Sequence, residues 1–286
     1  MLQCFIRIYF CFQLQAGNCS PVTMSGGIAL VQGASRGIGF QFCRFLVLTR
    51  NDGIVIGTCR NPEKARELQA LKEQYPDVLE IMKMDVTKHS EIQSTAERVK
   101  EEYGSLDLLI NSSAMLHPSG KGETSLREVT AEDLTLALTT NTIGPLMMAK
   151  HFAPLLLKGT GSFGAEATDK SKQHRAILVN MSAKVGSIGD NALGGWYSYR
   201  MSKAALNMAT KNLSIELGRG KDKVICVSLH PGSVATDLSR PYHKNIPKEK
   251  LFTPEKSVMR LMNVIETLSL EETGKFLSWN RSELQW

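Results

Sequence analysis

A tyrosine and a lysine four residues apart give one stretch of this sequence a clear potential for acid–base chemistry. The stretch reads GGWYSYRMSKAALN over residues 194–207, and of its two tyrosines only Tyr199 stands four positions before Lys203. Helix formers and the lack of proline predict a helix over residues 198–217, which brings positions i and i+4 onto one face. A nearby cation favours the phenolate and lowers a tyrosine pKa, so the pair could transfer protons. The alternative is a surface tyrosine beside a solvated lysine.

The elements that must position this pair alternate along the chain from residue 27. Strand-like runs are GIALVQG, GIVIGTCR, LEIMKMDV, LDLLINSSA, AILVNMSA and KVICVSLHPG, and helical patterns separate most of them. This alternation predicts an α/β fold, a Rossmann-type doubly wound parallel sheet in one domain over residues 25–286. The segment NPEKARELQALKEQY predicts a helix with Pro62 in its first turn, and the polar residues 158–175 predict a surface loop.

The first 24 residues are assigned to an extension outside the fold. They are apolar and cysteine-rich, and they lack acidic residues. The segment could be a signal peptide interrupted by Arg7, a mitochondrial presequence with a single arginine, or an extension before a start at Met24. We therefore expect a cytoplasmic protein, with an organellar location as the alternative.

Composition excludes several classes of function. The chain has 286 residues, 42% hydrophobic and 22% charged, with a formal net charge of +6, which is ordinary for a globular protein. No basic stretch interleaved with aromatic residues indicates nucleic-acid binding, and no apolar run is long enough to span a membrane. The six cysteines form no C-x-x-C pair and no His/Cys cluster with metal spacing, so we expect reduced thiols and no metal site.

A glycine-rich turn follows the first predicted strand directly and leads into a helix. It reads GASRGIG, an order that differs from the G-x-G-x-x-G fingerprint. Such a turn lets backbone N–H groups and the positive end of the helix approach a phosphate. The candidate cofactor-binding residues here are Gly33, Ser35, Arg36, Gly37, Ile38 and Gly39.

The end of the second strand indicates which dinucleotide would bind. An NAD site places an acid there for the ribose 2′-hydroxyl, but this sequence has Cys59 followed by Arg60, and Arg36 stands in the glycine loop. Two arginines without an acid suit a 2′-phosphate, which favours NADP(H). The alternative is that both arginines are merely exposed.

The glycine loop, the element order and the Tyr199–Lys203 pair together resemble the short-chain dehydrogenase/reductase superfamily over residues 27–279. Within it, WYSYRMSKAALN preceded by GSIGDNALGG looks most like the C-factor-like subgroup of small reductases. The resemblance implies further cofactor contacts and an active-site asparagine, Asn141. The implied contacts are Asp85 and Val86 at the adenine, Asn111 near the ribose, and Pro231, Gly232 and Thr236 at the nicotinamide carboxamide.

Three positions depart from the pattern of this superfamily. Gln32 replaces a threonine, and the stretch NSSA loses the usual glycine after Asn111. In VNMSAKVGS, Ser182 takes the first of two serine positions and an alanine takes the second, which is the catalytic one. We take Ser182 as the candidate catalytic serine; Ser187 is a second hydroxyl nearby, and a serine bonded to the local backbone is the alternative for Ser182.

The resemblance implies reversible hydride transfer between NADP(H) and a small carbonyl or alcohol substrate. Tyr199 would protonate the alkoxide, Lys203 would lower the tyrosine pKa and bind ribose, and Asn141 would support a water relay. It also implies a homodimer or homotetramer. Residues 237–257 are long, basic and interrupted by prolines, which predicts a flexible lid over the active site; a solvated loop is the alternative. The departures leave an NADP-binding regulatory or scaffold protein with little catalysis as the alternative.

Overall fold

A computed structural model describes residues 26–50, 52–166 and 173–286, so the N-terminal extension lies outside the described residues. These residues form nine strands: β1 (Ile28–Gln32), β2 (Ile54–Cys59), β3 (Leu79–Lys83), β4 (Leu108–Asn111), β5 (Ala176–Met181), β6 (Val224–His230), β7 (Ser233–Val234), β8 (Leu251–Phe252) and β9 (Phe276–Ser278). Seven of them form one parallel sheet in the order β3-β2-β1-β4-β5-β6-β9. The predicted Rossmann-type sheet is confirmed.

In the part of the chain that the structure describes, seven α-helices surround this sheet. They are α1 (Gly37–Thr49), α2 (Arg66–Gln74), α3 (His89–Tyr103), α4 (Ala131–Leu138), α5 (Gly144–Leu156), α6 (Tyr197–Leu217) and α7 (Pro254–Ile265). One apolar layer packs α1, α2 and α7 against the sheet through residues such as Phe42 and Leu261. The other packs α3 and α5 through residues such as Val99 and Phe152. Burial on both faces explains why the central strands are continuous apolar runs.

The strand order reverses between β1 and β4, where the chain leaves one half of the sheet for the other. In open parallel sheets, ligands bind in the crevice outside the carboxyl ends of the strands at this point. The glycine loop after β1, the NSSA stretch after β4 and the turn after β5 all lie at this edge. The fold therefore brings the candidate residues to one region.

Three local predictions differ from the structure. Pro62 begins a separate 3₁₀ turn, Pro62–Lys64, and α2 starts only at Arg66. In the predicted surface loop before β5, residues 167–172 lie outside the described chain, while Phe163 and His174 are buried. Residues 237–257 are partly ordered by 3₁₀ turns and by the short pair of β7 with β8. These features depend on tertiary contacts that a local pattern does not contain.

The three cysteines of the described chain, Cys43, Cys59 and Cys226, are buried free thiols. Over the residues that the structure describes, no helix is both long and apolar enough to cross a membrane.

Candidate active site

β1 runs into α1 through a turn in which glycine is required sterically. A Cβ atom on Gly33 would lie 2.4 Å from Ser113 Oγ, and one on Gly39 would lie 2.1 Å from the Gly33 carbonyl oxygen. Gly33 and Gly37 also have φ angles of +88° and +58°, which other residues rarely adopt. Within the described chain, the N-cap residue Arg36 makes no side-chain capping bond, which leaves the first N–H groups of α1 open. This cradle fits a phosphate group.

The neighbouring loop residues leave the cradle accessible. Ser35 and Ile38 are half-buried, and Arg36 is exposed. The Arg36 guanidinium lies 3.4 Å from the carboxylate of Asp237, which belongs to the segment that follows β7. This exposed pair links the glycine loop to the predicted lid.

Cations gather at the end of β2, where the sequence indicated a 2′-phosphate. Arg60 is exposed and lines a surface cavity together with Asp85, Lys88 and the last residue of β3, Lys83. Lys83 is the in-register partner of Cys59 across the two strands, a position that the sequence alone did not reveal. Burial raises the pKa of the Cys59 thiol, so no negative charge faces these cations from the end of β2.

Two of the three departures from the superfamily pattern compensate each other. Gln32 Nε2 donates to Ser113 Oγ at 2.6 Å, and Ser113 N donates to Gln32 Oε1 at 3.1 Å. This reciprocal pair fixes the loop after β4 against the end of β1. Next to it, the buried Asn111 donates from Nδ2 to Asn180 Oδ1 at 2.8 Å, and its own Oδ1 has no protein partner. A buried acceptor of this kind fits a hydroxyl group of a ligand.

Tyr199 and Lys203 share the buried face of α6, which begins one residue before its predicted start. Lys203 Nζ lies 5.7 Å from the centroid of the Tyr199 ring and donates to the Met181 carbonyl at 2.8 Å. Gly186 allows this close approach of α6 to the turn after β5, because a Cβ atom there would lie 2.7 Å from Lys203 Cβ. The pair thus lies at the carboxyl end of β5, and it is not a solvated surface pair.

Burial controls the protonation of both groups. It raises the pKa of the Tyr199 phenol above its ordinary value and lowers the pKa of Lys203 to about 7. The expectation that Lys203 lowers the tyrosine pKa stays a prediction, and burial of the phenol acts on that pKa in the opposite direction. Tyr199 therefore keeps its proton at neutral pH, which is the form that a proton donor needs.

Asn141 stands in a π-helical turn, Thr139–Ile143, between α4 and α5. Such turns are rare and occur frequently at functional sites. The Asn141 amide is fully buried; its Oδ1 accepts from Met115 N at 2.8 Å, and its Nδ2 donates to the Met115 carbonyl at 2.7 Å and to Ser202 Oγ at 2.9 Å. Since Ser202 precedes Lys203, Asn141 connects the loop after β4 to the helix that carries the acid–base pair.

The segment after β6 reaches the glycine loop from the other side. The Pro231 carbonyl accepts from Ser257 Oγ at 2.8 Å, and Gly232 has a φ of +82° that lets the chain turn closely past Phe252. A Cβ atom on Gly37 would lie 3.5 Å from the methyl group of Thr236. The carboxamide candidates and the phosphate candidates are therefore neighbours.

The adenine candidates lie at the end of β3. Asp85 Oδ1 accepts from Thr87 N at 3.0 Å and from Thr87 Oγ1 at 2.7 Å, which holds its side chain in the turn after the strand. Val86 is buried, and its side chain would lie 2.6 Å from a Cβ atom on Gly144. Both residues thus have fixed positions next to the cavity that contains Arg60.

The sequence pattern described as "short chain dehydrogenase" matches residues 27–247, most of the described chain. The chain belongs to the short-chain dehydrogenase family. The 1-hydroxy-2-glutathionyl-2-methyl-3-butene dehydrogenase of Rhodococcus sp. (strain AD45) is 34% identical over 207 residues, 71% of this chain and 78% of that protein. The C-signal protein of Myxococcus xanthus is 32% identical over 183 residues, 64% of this chain and 94% of that protein, which partly supports the C-factor-like resemblance.

A solved structure extends this similarity to three dimensions. The NADPH-bound carbonyl reductase from chicken fatty liver has a TM-score of 0.78 and 33% sequence identity, and the match covers 92% of this chain and 100% of that one. The seven-stranded architecture of this short-chain dehydrogenase is therefore that of its family.

The Ser182 hydroxyl is engaged by a side chain of α6, whereas a catalytic serine hydrogen-bonds the substrate oxygen. Its hydroxyl donates to Asn207 Oδ1 at 2.7 Å, and both residues are buried. Asn207 lies about 12 Å beyond Tyr199 along the axis of α6, given the rise of a helix. Ser187 Oγ accepts from Asp190 N at 3.1 Å, which stabilises the turn before α6. A catalytic role for Ser182 in this short-chain dehydrogenase stays a prediction.

Sequence reasoning missed a buried carboxylate near the acid–base pair. Glu123 lies in the long connection between β4 and α4, is 2% exposed, and accepts hydrogen bonds from the first turn of α6. Its partner Ser198 is 75 residues further along the chain, so no local pattern signals the contact.

Proposed function

We propose that this short-chain dehydrogenase is an NADP(H)-dependent reductase of small carbonyl compounds, which also oxidises the corresponding alcohols. The observation that carries the proposal is the buried Tyr199–Lys203 pair at the carboxyl edge of the sheet, beside an open glycine cradle. The chicken carbonyl reductase with bound NADPH, 33% identical to this chain, supports both the cofactor and the substrate class.

The proposed cofactor site uses groups along the whole switch point of the sheet. The glycine cradle would bind the pyrophosphate, and Arg36 and Arg60 would bind the 2′-phosphate, with Lys83 adding positive charge. Bound there, NADPH supplies a hydride to the carbonyl carbon of the substrate. The remaining proposed contacts are Ser35 and Ile38 in the cradle, Asp85 and Val86 at the adenine, Asn111 and Lys203 at the ribose, and Pro231, Gly232 and Thr236 at the carboxamide.

In the proposed mechanism, Tyr199 donates its phenolic proton to the substrate oxygen as negative charge develops there. Lys203 Nζ is held by the Met181 carbonyl, and its pKa of about 7 lets it gain a proton easily near neutral pH and pass it on to Tyr199. Asn141 keeps the helix and the loop after β4 in register through Ser202. Ser182 would stabilise the oxyanion only if its hydroxyl exchanged Asn207 for the substrate oxygen.

The test of this proposal is NADPH consumption with a broad panel of aldehydes and ketones, together with a direct measurement of NADPH binding. We expect turnover with at least one carbonyl class. One observation, the engagement of the Ser182 hydroxyl with Asn207, favours a second candidate, an NADP-binding regulatory protein. Tight NADPH binding without turnover of any compound would select that candidate.

An exposed apolar face supports the proposal that the protein is a homodimer or homotetramer. α4 packs against α6, and α6 presents large apolar side chains to solvent at intervals of seven residues, which places them on one side of the helix. Further exposed apolar side chains stand on α4, on the π-helical turn and at the start of α5. These residues are Leu136, Ile143 and Leu146 on the α4–α5 side and Met201, Met208 and Ile215 on α6. An apolar face of this kind in a globular protein marks an interaction surface.

We expect Met208→Glu to dissociate the oligomer, because it would bury a carboxylate without a partner in an apolar interface. The dissociation constant should rise by about 100-fold or more, the equivalent of roughly 2.8 kcal/mol. Light scattering over a range of protein concentrations measures the mass. The matched control is Gln74→Glu, which adds the same group on α2 at the opposite face of the sheet and should leave the mass unchanged. A native protein that stays monomeric at micromolar concentration contradicts the proposal.

A further inference from the structure

Glu123 is an acidic residue whose side chain is buried close to a histidine and to the first turn of α6. It is 2% exposed, and within the described chain no lysine or arginine forms an ion pair with it. His117 Nε2 lies 4.0 Å from Glu123 Oε1, and the same nitrogen lies 3.5 Å from Asp133 Oδ2. An isolated buried carboxylate is costly, so its surroundings must stabilise it in another way.

That stabilisation comes from the N terminus of α6. Glu123 Oε1 accepts from Ser198 N at 3.0 Å and also from Ser198 Oγ. A carboxylate at this end of a 21-residue helix also interacts favourably with the helix dipole. The interaction is mutual: the carboxylate fixes Ser198, the residue immediately before Tyr199.

The main chain of Glu123 also holds the segment that leads into α6. Trp196 N donates to the Glu123 carbonyl at 2.6 Å, and Trp196 has a φ of +49°, an outlier for a bulky residue. Gly194 and Gly195 before it also have positive φ angles. Glycine adopts a positive φ readily, but at a bulky residue such as Trp196 the strain persists only where the surroundings enforce it.

The strained conformation places the Trp196 indole beside the acid–base tyrosine. The ring centroids of Trp196 and Tyr199 are 6.4 Å apart, and those of Trp196 and Tyr242 are 4.6 Å apart. Gly122 makes room for the indole, since a Cβ atom there would lie 2.6 Å from Trp196 Cδ1. Its backbone N–H donates a hydrogen bond to the Tyr242 hydroxyl at 2.9 Å. Residues 122 and 123 thus contact the lid segment and the active helix together.

We propose that Glu123 is a positioning residue for Tyr199, acting through Ser198 and Trp196. The proposal rests on the proposed reductase function, in which Tyr199 is the proton donor. Without the Glu123 carboxylate, Ser198 N and Ser198 Oγ lose their acceptor, although the main-chain bond from Trp196 N to the Glu123 carbonyl remains. The first turn of α6 then shifts, which moves the phenol of Tyr199 away from the reacting oxygen and changes the surroundings of the Trp196 ring. A displacement of about 1 Å can cost about 100-fold in rate.

The test compares Glu123→Ala, Glu123→Gln and Ser198→Ala with the matched control Glu128→Ala. Glu128 also accepts backbone hydrogen bonds, from Thr124 N and Ser125 N, but it is exposed, and its hydrogen-bond partners in the described chain lie in its own loop. We expect Glu123→Ala to lower kcat by about 10- to 100-fold with NADPH binding unchanged, and Glu123→Gln to recover part of the loss by keeping an acceptor for Ser198. Glu128→Ala should retain native kcat.

A second readout is independent of turnover. Fluorotryptophan labelling gives one fluorine NMR signal for each of the three tryptophans, and Trp196→Phe assigns the signal of Trp196. We expect Glu123→Ala to shift or broaden this signal alone. Native kcat together with a native Trp196 signal in Glu123→Ala overturns the proposal; if that variant does not fold, native values in both Glu123→Gln and Ser198→Ala do so. A native protein without turnover, but with the Trp196 signal changed in Glu123→Ala, instead overturns the reductase function and leaves the contact established.

Discussion

Tyr199→Phe should lower kcat by about 100- to 10,000-fold, the range that a positioned general acid contributes. The substitution removes only the hydroxyl, so the buried ring keeps its contacts with Trp196 and with the Lys203 ammonium. NADPH binding should change by no more than about tenfold, because at most one hydrogen bond is lost. Steady-state kinetics with the best carbonyl substrate, and titration of the protein with NADPH, measure the two quantities separately.

The control for this prediction is Tyr197→Phe, the same change two residues earlier on the same helix. Tyr197 is half-buried and lies on a different face of α6 from Lys203. Its variant should keep native kcat. Equal losses in the two variants would mean that the hydroxyl at position 199 has no special role, and the proposed mechanism would fail.

The sequence predicted the framework of this site because the framework depends on local patterns. The helix expected over residues 198–217 forms as Tyr197–Leu217, and the glycine turn after β1 lies where the strand–turn–helix pattern placed it. The i, i+4 rule was sufficient to place Tyr199 and Lys203 together. Their protonation could not be predicted in the same way, because it depends on a degree of burial that only the complete fold determines.

Contacts between distant segments account for what the sequence left open. Gln32 and Ser113 are 81 residues apart, and each alone suggested a weakened site, whereas their reciprocal hydrogen bonds restore the junction of β1 and β4. Glu123 and Ser198 are similarly remote in sequence. Ser182 illustrates the opposite case: a plausible position at the end of β5 proved to have a partner, Asn207, that no motif indicated.

Cofactor preference is the second prediction with a large effect. We expect the native protein to prefer NADPH to NADH by at least about tenfold in kcat/KM, since one charge-assisted hydrogen bond to a phosphate contributes roughly 1.5–3 kcal/mol. Arg60 is exposed in the cavity at the end of β2, and Lys83 lies beside it. The double change Cys59→Asp with Arg60→Gln should shift the preference toward NADH by about 10- to 100-fold, because it adds an acceptor for the ribose hydroxyls and repels the phosphate.

Variants of Arg36 and of its ion-pair partner Asp237 test whether Arg36 binds the 2′-phosphate. In the structure Asp237 competes for the Arg36 guanidinium at 3.4 Å. If Arg36 binds the 2′-phosphate, Asp237→Asn should keep or strengthen the NADPH preference, and Arg36→Gln should weaken it. A native protein that uses both cofactors equally, or a double variant that retains the full NADPH preference, contradicts the assignment of the 2′-phosphate site.

The dependence of KM on ionic strength tests whether the NADPH preference comes from charge or from the shape of the site. The Arg36 side chain is 71% exposed, and charges in such a position are screened over about 10 Å at 0.1 M salt and about 3 Å at 1 M. KM for NADPH should therefore rise steeply with salt in the native protein, while KM for NADH, which lacks the 2′-phosphate, should rise less. The difference between the two cofactors in the slope of KM against salt concentration should become smaller when Arg60 is replaced by a neutral residue. Parallel slopes for both cofactors would exclude the charges of the two arginines as the origin of the preference.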